Sequence, residues 1–483
     1  MAKLNGKQQS NKVVNESGGY AYKQSDKMLL VSQVLCSFYN EKKFYKDNSQ
    51  EIVENAKKLI QSGDDNARFV AKLCVYARKE FNMRTISQVL AVILANEKNG
   101  IPYAKNTISS ICLRVDDIIN IVAFQLNEYG HTIPNQMKKG LSIAFNNFNE
   151  YQFAKYNRKG QVKLKDTLRL VHPIPKDEEQ SILFKKILKD DLKTPYTWEV
   201  ELSTKGNTKE VWEELIASKK VGYMAILRNL RNILKNGVNN IDDVYNFLEN
   251  ENAIKNSKLL PFRYYTAYKE VENLNYATNR TFEVLENAMQ KSLNNIEKIN
   301  GLSFVCGDVS GSMIYPISEK SKIKCIDISN LMVAMANHIC EDSITGVFSE
   351  RFKKITMSNK KSVLSNAKNI RWKWGGTNIN STIEYLLDNN IYVDRIIIFS
   401  DNEANKQFSY KRTQDLFNEY KRKINPNCWV HSIDLLGYGT VQFDENDKNV
   451  NLIAGWSEKL LQFIPLIERG ANGIIQEIEQ YEY

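Results

Sequence analysis

Asp308-Val309-Ser310-Gly311-Ser312 sets one carboxylate and two hydroxyls at alternate positions, D-x-S-x-S. Alternate side chains of an extended segment point the same way, so three oxygens in this spacing can converge on one ion. Such a donor set suits a hard divalent cation, Mg²⁺ in the first place, which takes oxygen ligands near octahedral geometry and usually keeps some water. The pattern is common enough by chance that its surroundings decide its weight. Downstream, Trp374-Gly375-Gly376-Thr377-Asn378 is a Gly-rich turn presenting a Thr hydroxyl, and Arg395-Ile396-Ile397-Ile398-Phe399-Ser400-Asp401 is a β-branched run ending in a carboxylate. Asp308, Ser310, Ser312, Thr377 and Asp401 are therefore the candidate metal residues. Ser310 and Ser312 are the first choices as direct ligands, Thr377 a third, with the aspartates acting partly through water or hydrogen bonds.

Elements able to position these residues follow from patterning. After about Asn300, apolar runs at Ser303–Gly307, Ile344–Ser349, Arg395–Ser400 and Cys428–Leu436 alternate with helical stretches at Cys325–Cys340, Asn380–Asn389, Lys411–Lys423 and Glu458–Arg469. Strands alternating with helices predict a mostly parallel, doubly wound α/β sheet. Ligands bind such sheets outside the carboxyl ends of the strands, where Asp308 and Asp401 fall. Strand, Asp and hydroxyls, Thr loop, second strand with Asp is an order that resembles von Willebrand A domains, in which it forms a metal-ion-dependent adhesion site.

The preceding region reads differently. From Asp26 to Ile299, segments such as Lys27–Phe38, Gln50–Gln61, Asn66–Phe81, Ile86–Glu97 and Asp116–Leu126 carry apolar residues at three- and four-residue spacing. Short breaks separate them, and Asp64 and Thr85 stand where helix caps are expected. Helices of this length joined by short turns predict stacked helical hairpins of the HEAT kind. Residues 1–25 are polar and are expected to form a flexible arm. The expected division is thus 1–25 arm, 26–299 helical repeats, and 300–483 α/β domain.

Charge separates the same two parts. The chain carries a net charge of +10, with +11 before Gly301 and −1 from there on. A basic region of this kind suits a polyanion, most simply nucleic acid, although a solvated lysine-rich surface has the same composition. The densest cluster runs from Phe153 to Asp177 and contains Lys155, Arg158, Lys159, Lys165, Arg169 and His172, with Phe153 and Tyr156 interleaved. Lysine and arginine neutralise phosphates, and aromatic faces stack on unpaired bases. If Lys165–His172 is helical, Lys165, Arg169 and His172 share nearly one face.

Other classes find little support. The four histidines show no metal-hydrolase spacing, and Walker A and GxGxxG loops are absent. A phosphatase of the haloacid-dehalogenase type would need an acid where Ser310 stands. No enzyme activity is expected. Seven scattered cysteines without C-x-x-C spacing read as core residues of a reducing compartment. The chain has no run of about 18 apolar residues and no secretory h-region, so a cytoplasmic protein without a membrane partner is expected.

Leu164-Lys165-Asp166-Thr167-Leu168-Arg169-Leu170-Val171-His172-Pro173-Ile174-Pro175 resembles the signature of the TROVE module of Ro ribonucleoproteins. Thr194-Pro195-Tyr196-Thr197-Trp198-Glu199, Met224 to Arg231 and Leu260-Pro261-Phe262-Arg263 are similar to further stretches of that family, in the same order. With the A-domain pattern behind them, they identify the chain as resembling bacterial or phage-type Ro proteins. The resemblance implies a monomeric ring of helical repeats closed by the A domain, with single-stranded 3′ ends of misfolded or unprocessed RNA in a basic hole. It also implies a noncoding Y-like RNA on the outer surface, a role in RNA quality control or processing, and an exoribonuclease or other RNA-processing protein as a candidate partner. Carried onto this chain, the RNA contacts are Lys155, Arg158, Lys159, Lys165, Arg169 and His172. Arg228 and Arg231 are read instead as helix residues pairing with acids between repeats. The competing class is a protein-interaction scaffold that grips a partner through the open metal position without RNA.

Overall fold

The computed structural model describes residues 12–36, 49–130, 132–157, 162–257, 259, 261–294, 296–316, 322–358, 361–370, 375–408, 410–455, 459–468 and 473–483. Arg158, Lys159, Trp374 and His131 lie outside the described residues.

The chain opens on a hairpin, β1 (Lys12–Val14) and β2 (Tyr20–Lys23). Then come α1 (Asp26–Cys36), α2 (Ser49–Gln61), α3 (Asp64–Lys79), α4 (Arg84–Asn96), α5 (Ile101–Ile111), α6 (Val115–Tyr129), α7 (Asn135–Phe145), α8 (Glu150–Tyr156), α9 (Leu164–Val171) and α10 (Glu178–Lys189). The helical array continues with α11 (Trp198–Lys205), α12 (Lys209–Ala217), α13 (Tyr223–Asn236), α14 (Ile241–Glu249), α15 (Glu251–Ser257), α16 (Pro261–Val271) and α17 (Asn279–Leu293). Most neighbours pack in sequence order, as helical repeats do. Asp64 and Thr85 are not caps: Gly63 and Met83 precede the first helical residues, so both lie inside the first turn.

A buried charge hub fixes the first repeats. Asp117 of α6 is fully buried and accepts hydrogen bonds from Arg78 Nη2 of α3 at 3.0 Å, Arg84 Nε of α4 at 2.5 Å and Gln88 Nε2 at 2.7 Å. It also accepts from the backbone N–H of Arg114 at 3.0 Å, which caps α6.

The α/β domain holds β3 (Ile299–Asp308), α18 (Cys325–Ile339), β4 (Cys340–Phe348), β5 (Phe352–Ile355), α19 (Val363–Asn369), α20 (Asn380–Asp388) and β6 (Arg395–Ser400). It ends with α21 (Thr413–Lys423), β7 (Trp429–Asp434), β8 (Thr440–Val441), β9 (Val450–Ala454), α22 (Lys459–Glu468) and α23 (Ile474–Gln480). Six strands form one sheet in the order β5-β4-β3-β6-β7-β9, parallel except for β5. Strands β3, β6 and β7 are buried along most of their length, as apolar runs covered by helices on both faces must be. The six cysteines whose side chains are described are all buried and form no disulfide among the described residues, in keeping with core residues. Among the described residues no helix is long and apolar enough to cross a membrane.

The expectation of a flexible arm is corrected from Lys12 onward; residues 1–11 lie outside the described residues. β2 pairs antiparallel with β8, Tyr22 opposite Val441, so the start of the chain completes a small sheet with the α/β domain. The Asn15 amide donates to Ala404 O at 2.9 Å, and the Ser17 N–H to Glu403 Oε2 at 3.3 Å. These groups satisfy loop acceptors that would otherwise be stranded in a buried place.

Both ends of the helical array meet the α/β domain. At the first end, α23 packs on α3 and α1: Tyr481 stacks edge-on against Tyr76 at 5.2 Å and its hydroxyl donates to Glu80 at 2.9 Å. At the far end, Lys368 of α19 pairs with Glu272 at 2.7 Å and lies 4.4 Å from the centre of the Tyr268 ring. Gln290 of α17 bonds His338 of α18 at 2.9 Å. The α/β domain therefore closes the array.

Candidate functional site

The candidate metal residues come together at the carboxyl end of the sheet. In the parallel register of β3 and β6, Gly307 stands opposite Phe399. That brings Asp308 level with Ser400, whose hydroxyl donates to Asp308 Oδ2 at 2.6 Å. A Cβ on Gly307 would come within 2.7 Å of Ser329 Oγ and Val333 Cγ2, so only glycine lets α18 pack this close behind the strand end. The chain then turns: the Ser310 N–H donates to Asp308 Oδ1 at 2.8 Å, and the Ser310 and Ser312 hydroxyl oxygens lie 3.2 Å apart. Asp308, Ser310, Ser312, Thr377 and Asp401 are all buried.

Backbone bonds tie the three loops together. The Gly311 N–H donates to Gly375 O at 3.1 Å, and the Asn405 N–H to Thr377 O at 2.9 Å. Asn405 Oδ1 in return accepts from the Thr377 N–H at 2.5 Å, and a Cβ on Gly376 would collide with that same oxygen.

Charge is concentrated there. Burial pushes the Asp308 carboxyl up to about 7, the Asp401 carboxylate adds to the shift, and the Ser310 and Ser400 hydrogen bonds oppose it. Burial also raises Asp401, against the pull of the Ser312 hydroxyl and the Glu403 N–H. Asp401 Oδ2 is buried without a hydrogen-bond partner among the described residues. Two neighbouring buried carboxylates, one with an orphan oxygen, beside two hydroxyls form a donor set that a hard cation would complete. Among the described residues no three His, Cys, Asp or Glu side chains could hold a metal together, so an ion here would depend on Ser and Thr oxygens.

Glu403 was not singled out from sequence. It is buried, accepts from Thr440 Oγ1 at 3.0 Å, and is lifted to about 8 by burial and then by Asp401. Its signal was the alternate spacing D-x-E after the strand, the same logic that drew attention to D-x-S-x-S.

In the basic cluster, α9 buries Leu164, Thr167, Leu168 and Val171, which turns Lys165 and Arg169 outward. The exposed His172 ends the helix in the left-handed region at φ 52°, and its N–H donates to Leu168 O at 3.0 Å. The following segment is clamped to α7: the Ile174 N–H donates to Ser142 Oγ at 3.1 Å, and Asn146 Nδ2 to Ile174 O at 2.8 Å. Ile174 is 79% exposed, an apolar side chain held in solvent beside the cations. Lys165 is ion-paired with Asp190, whereas the Arg169 side chain is 60% exposed and only 3.9 Å from Asp166. Lys155 lies apart on α8, 5.8 Å from the centre of the Tyr156 ring.

The TROVE domain model matches residues 15–193 and 189–306, and the Ro60 vWA domain model matches 303–466. The chain belongs to the Ro ribonucleoprotein family. The crystal structure of the Deinococcus radiodurans Ro (RSR) protein superposes with a TM-score of 0.63 at 16% identity, covering 92% of this chain and 100% of that one, which shows a shared fold. Telomerase protein component 1 of Mus musculus is 41% identical over 85 residues, 17% of this chain. The Rattus norvegicus protein of the same name is 24% identical over 339 residues, 52% of this chain. The Ro-family chain spans only 3% and 13% of the length of those two relatives.

Two arginines of the family-like Met224–Arg231 stretch behave differently. Arg231 pairs with Glu270 of α16 at 3.4 Å, as a helix residue bridging repeats should. Arg228, expected to do the same, is exposed and makes no ion pair among the described residues.

Proposed function

We propose that this Ro-family chain is a ribonucleoprotein component that binds noncoding Y-like RNA on its outer surface and single-stranded 3′ ends of misfolded or unprocessed RNA through the basic helical array. It acts in RNA quality control or processing as a monomeric ring, with an RNA-processing protein such as an exoribonuclease as partner, and it catalyses no step. The observation that carries this reading is the outward face of α9, where Lys165, Arg169 and His172 project from a rigidly clamped segment. Phosphates need fixed cations and bases need exposed rings or apolar tips; this face supplies both. A filter-binding titration with single-stranded RNA over a range of salt tests it. Affinity falling steeply with salt is expected, with a log–log slope of roughly −0.7 per phosphate neutralised. Absent or salt-insensitive binding overturns the reading.

The metal residues carry a separate part of the proposal: Asp308, Ser310, Ser312, Thr377 and Asp401 hold Mg²⁺ and leave a position for a partner. A raised Asp308 pKa means the folded protein holds a proton that the unfolded chain has lost. Stability without a cation therefore falls as pH rises from the ordinary carboxylate range through about 7. Added Mg²⁺ should raise the melting temperature more at about pH 8 than at about pH 6, because it competes with that proton. Equal stabilisation at both values would count against the site. Asp308→Ala should abolish the Mg²⁺ effect and leave RNA affinity within about two-fold, since this loop lies in the near-neutral domain.

A further inference from the structure

A cavity of about 440 Å³ lies between α8 and the start of α6 on one side and the turn from α11 to α13 on the other. Four aromatic side chains along its walls are exposed or half-buried: Tyr151, Tyr156, Tyr196 and Trp198. Cations attend two of them. The Arg114 guanidinium is 4.8 Å from the centre of the Tyr156 ring, and Lys220 Nζ is 5.2 Å from that of Tyr196. Lys155 and Arg228 also line the cavity, against one carboxylate, Glu199.

Beyond it, a second cavity of about 520 Å³ separates α13 from α16, and the two share Met224 and Arg228 as lining residues. Glu270, at the wall of that second cavity, also bonds Lys322 of the α/β domain at 3.2 Å. The track thus runs along α13 from the domain junction to the aromatic cavity, with Arg228 at the shared wall.

An exposed cation–aromatic lining is poor packing for a core and good chemistry for a nucleotide. A base has two π-faces to stack on tyrosine, and its phosphate matches a guanidinium or ammonium. The size fits a small-ligand pocket. We propose that this cavity receives one unpaired nucleotide of a bound RNA strand, its base stacked on Tyr196 or Tyr156 and its phosphate neutralised by Arg228 and Lys155. The inference rests on the RNA-binding reading above and adds a base-stacking contact away from α9.

The test compares oligouridine with the same strand carrying one abasic nucleotide, scanned along its length, in filter binding to the full chain. At one register the abasic strand should bind roughly ten-fold more weakly than the intact strand, the usual worth of a stacked base. That difference should vanish in Tyr196→Leu or in Tyr156→Leu, whichever ring carries the base. In Arg228→Ala the difference should persist while both strands weaken together and the salt slope drops by about 0.7. An abasic penalty unchanged in Tyr196→Leu and in Tyr156→Leu overturns the pocket while leaving RNA binding intact. No binding of either strand overturns the RNA reading itself. Uridine monophosphate binding as tightly as the oligonucleotide, or an acidic peptide competing through Tyr196, would make the cavity a metabolite or peptide site and also overturns the proposal.

Discussion

Combined Lys165→Glu, Arg169→Glu and His172→Gln substitution is expected to weaken single-stranded RNA binding by roughly 100-fold or more at moderate salt, about 3 kcal/mol, with little change in the unfolding midpoint. The helix is anchored by the opposite face, through Leu164, Leu168 and Val171, so none of the three replacements opens the core. Unequal shares are expected. Lys165 already gives its charge to Asp190, and reversing it also sets two carboxylates side by side. Arg169 has the weaker internal partner and should account for most of the loss when each residue is changed to alanine. His172 offers an independent check, because it stands at positive φ, a region that costs a non-glycine residue of order 1 kcal/mol or more. His172→Gly should therefore stabilise the fold and weaken RNA binding together, as measured by chemical denaturation and filter binding. A stabilised variant with unchanged RNA affinity would mean that the histidine only ends the helix.

How far the sequence revealed these sites follows from how local each one is. D-x-S-x-S could be read because its three oxygens lie within five residues of one strand end, and Asp401 because a β-branched run announces the neighbouring strand. The outward face of α9 could be read because helical period alone separates Lys165 and Arg169 from Leu164 and Leu168. What stayed hidden depends on distant partners. The two-residue strand β8 has no pattern of its own and exists by pairing with β2, more than 400 residues earlier in the chain. Asn405 looks like any loop asparagine until its side chain is found on the Thr377 N–H. β5 reads Phe-Lys-Lys-Ile, half-buried at its ends and exposed between, which is an edge strand's compromise and a weak signal. Arg228 and Arg231 occupy similar helix positions, and only the location of Glu270 tells them apart.

Asp117→Ala should destabilise the protein by about 3–5 kcal/mol, the usual cost of removing one partner from a buried charge cluster. The carboxylate binds groups from three places at once, and its loss would leave the Arg78 guanidinium buried against Ile111 O at 3.3 Å without its counter-ion. Asp117→Asn keeps the shape and one acceptor, so it should recover only part of the loss. The effect should reach beyond stability. Asp117 caps α6 through the backbone N–H of Arg114, and that residue's guanidinium lies over the Tyr156 ring. Freeing the helix start would loosen one wall of the aromatic cavity while leaving α9 packed on α7 and α10. Denaturant unfolding should thus show the large loss of stability in Asp117→Ala. Under conditions where the variant remains folded, the abasic-strand difference should shrink and the contribution of Arg169 should not. If instead both RNA contributions fell in proportion, the repeats would be acting as one rigid unit, and the two contact surfaces could not be separated by mutation.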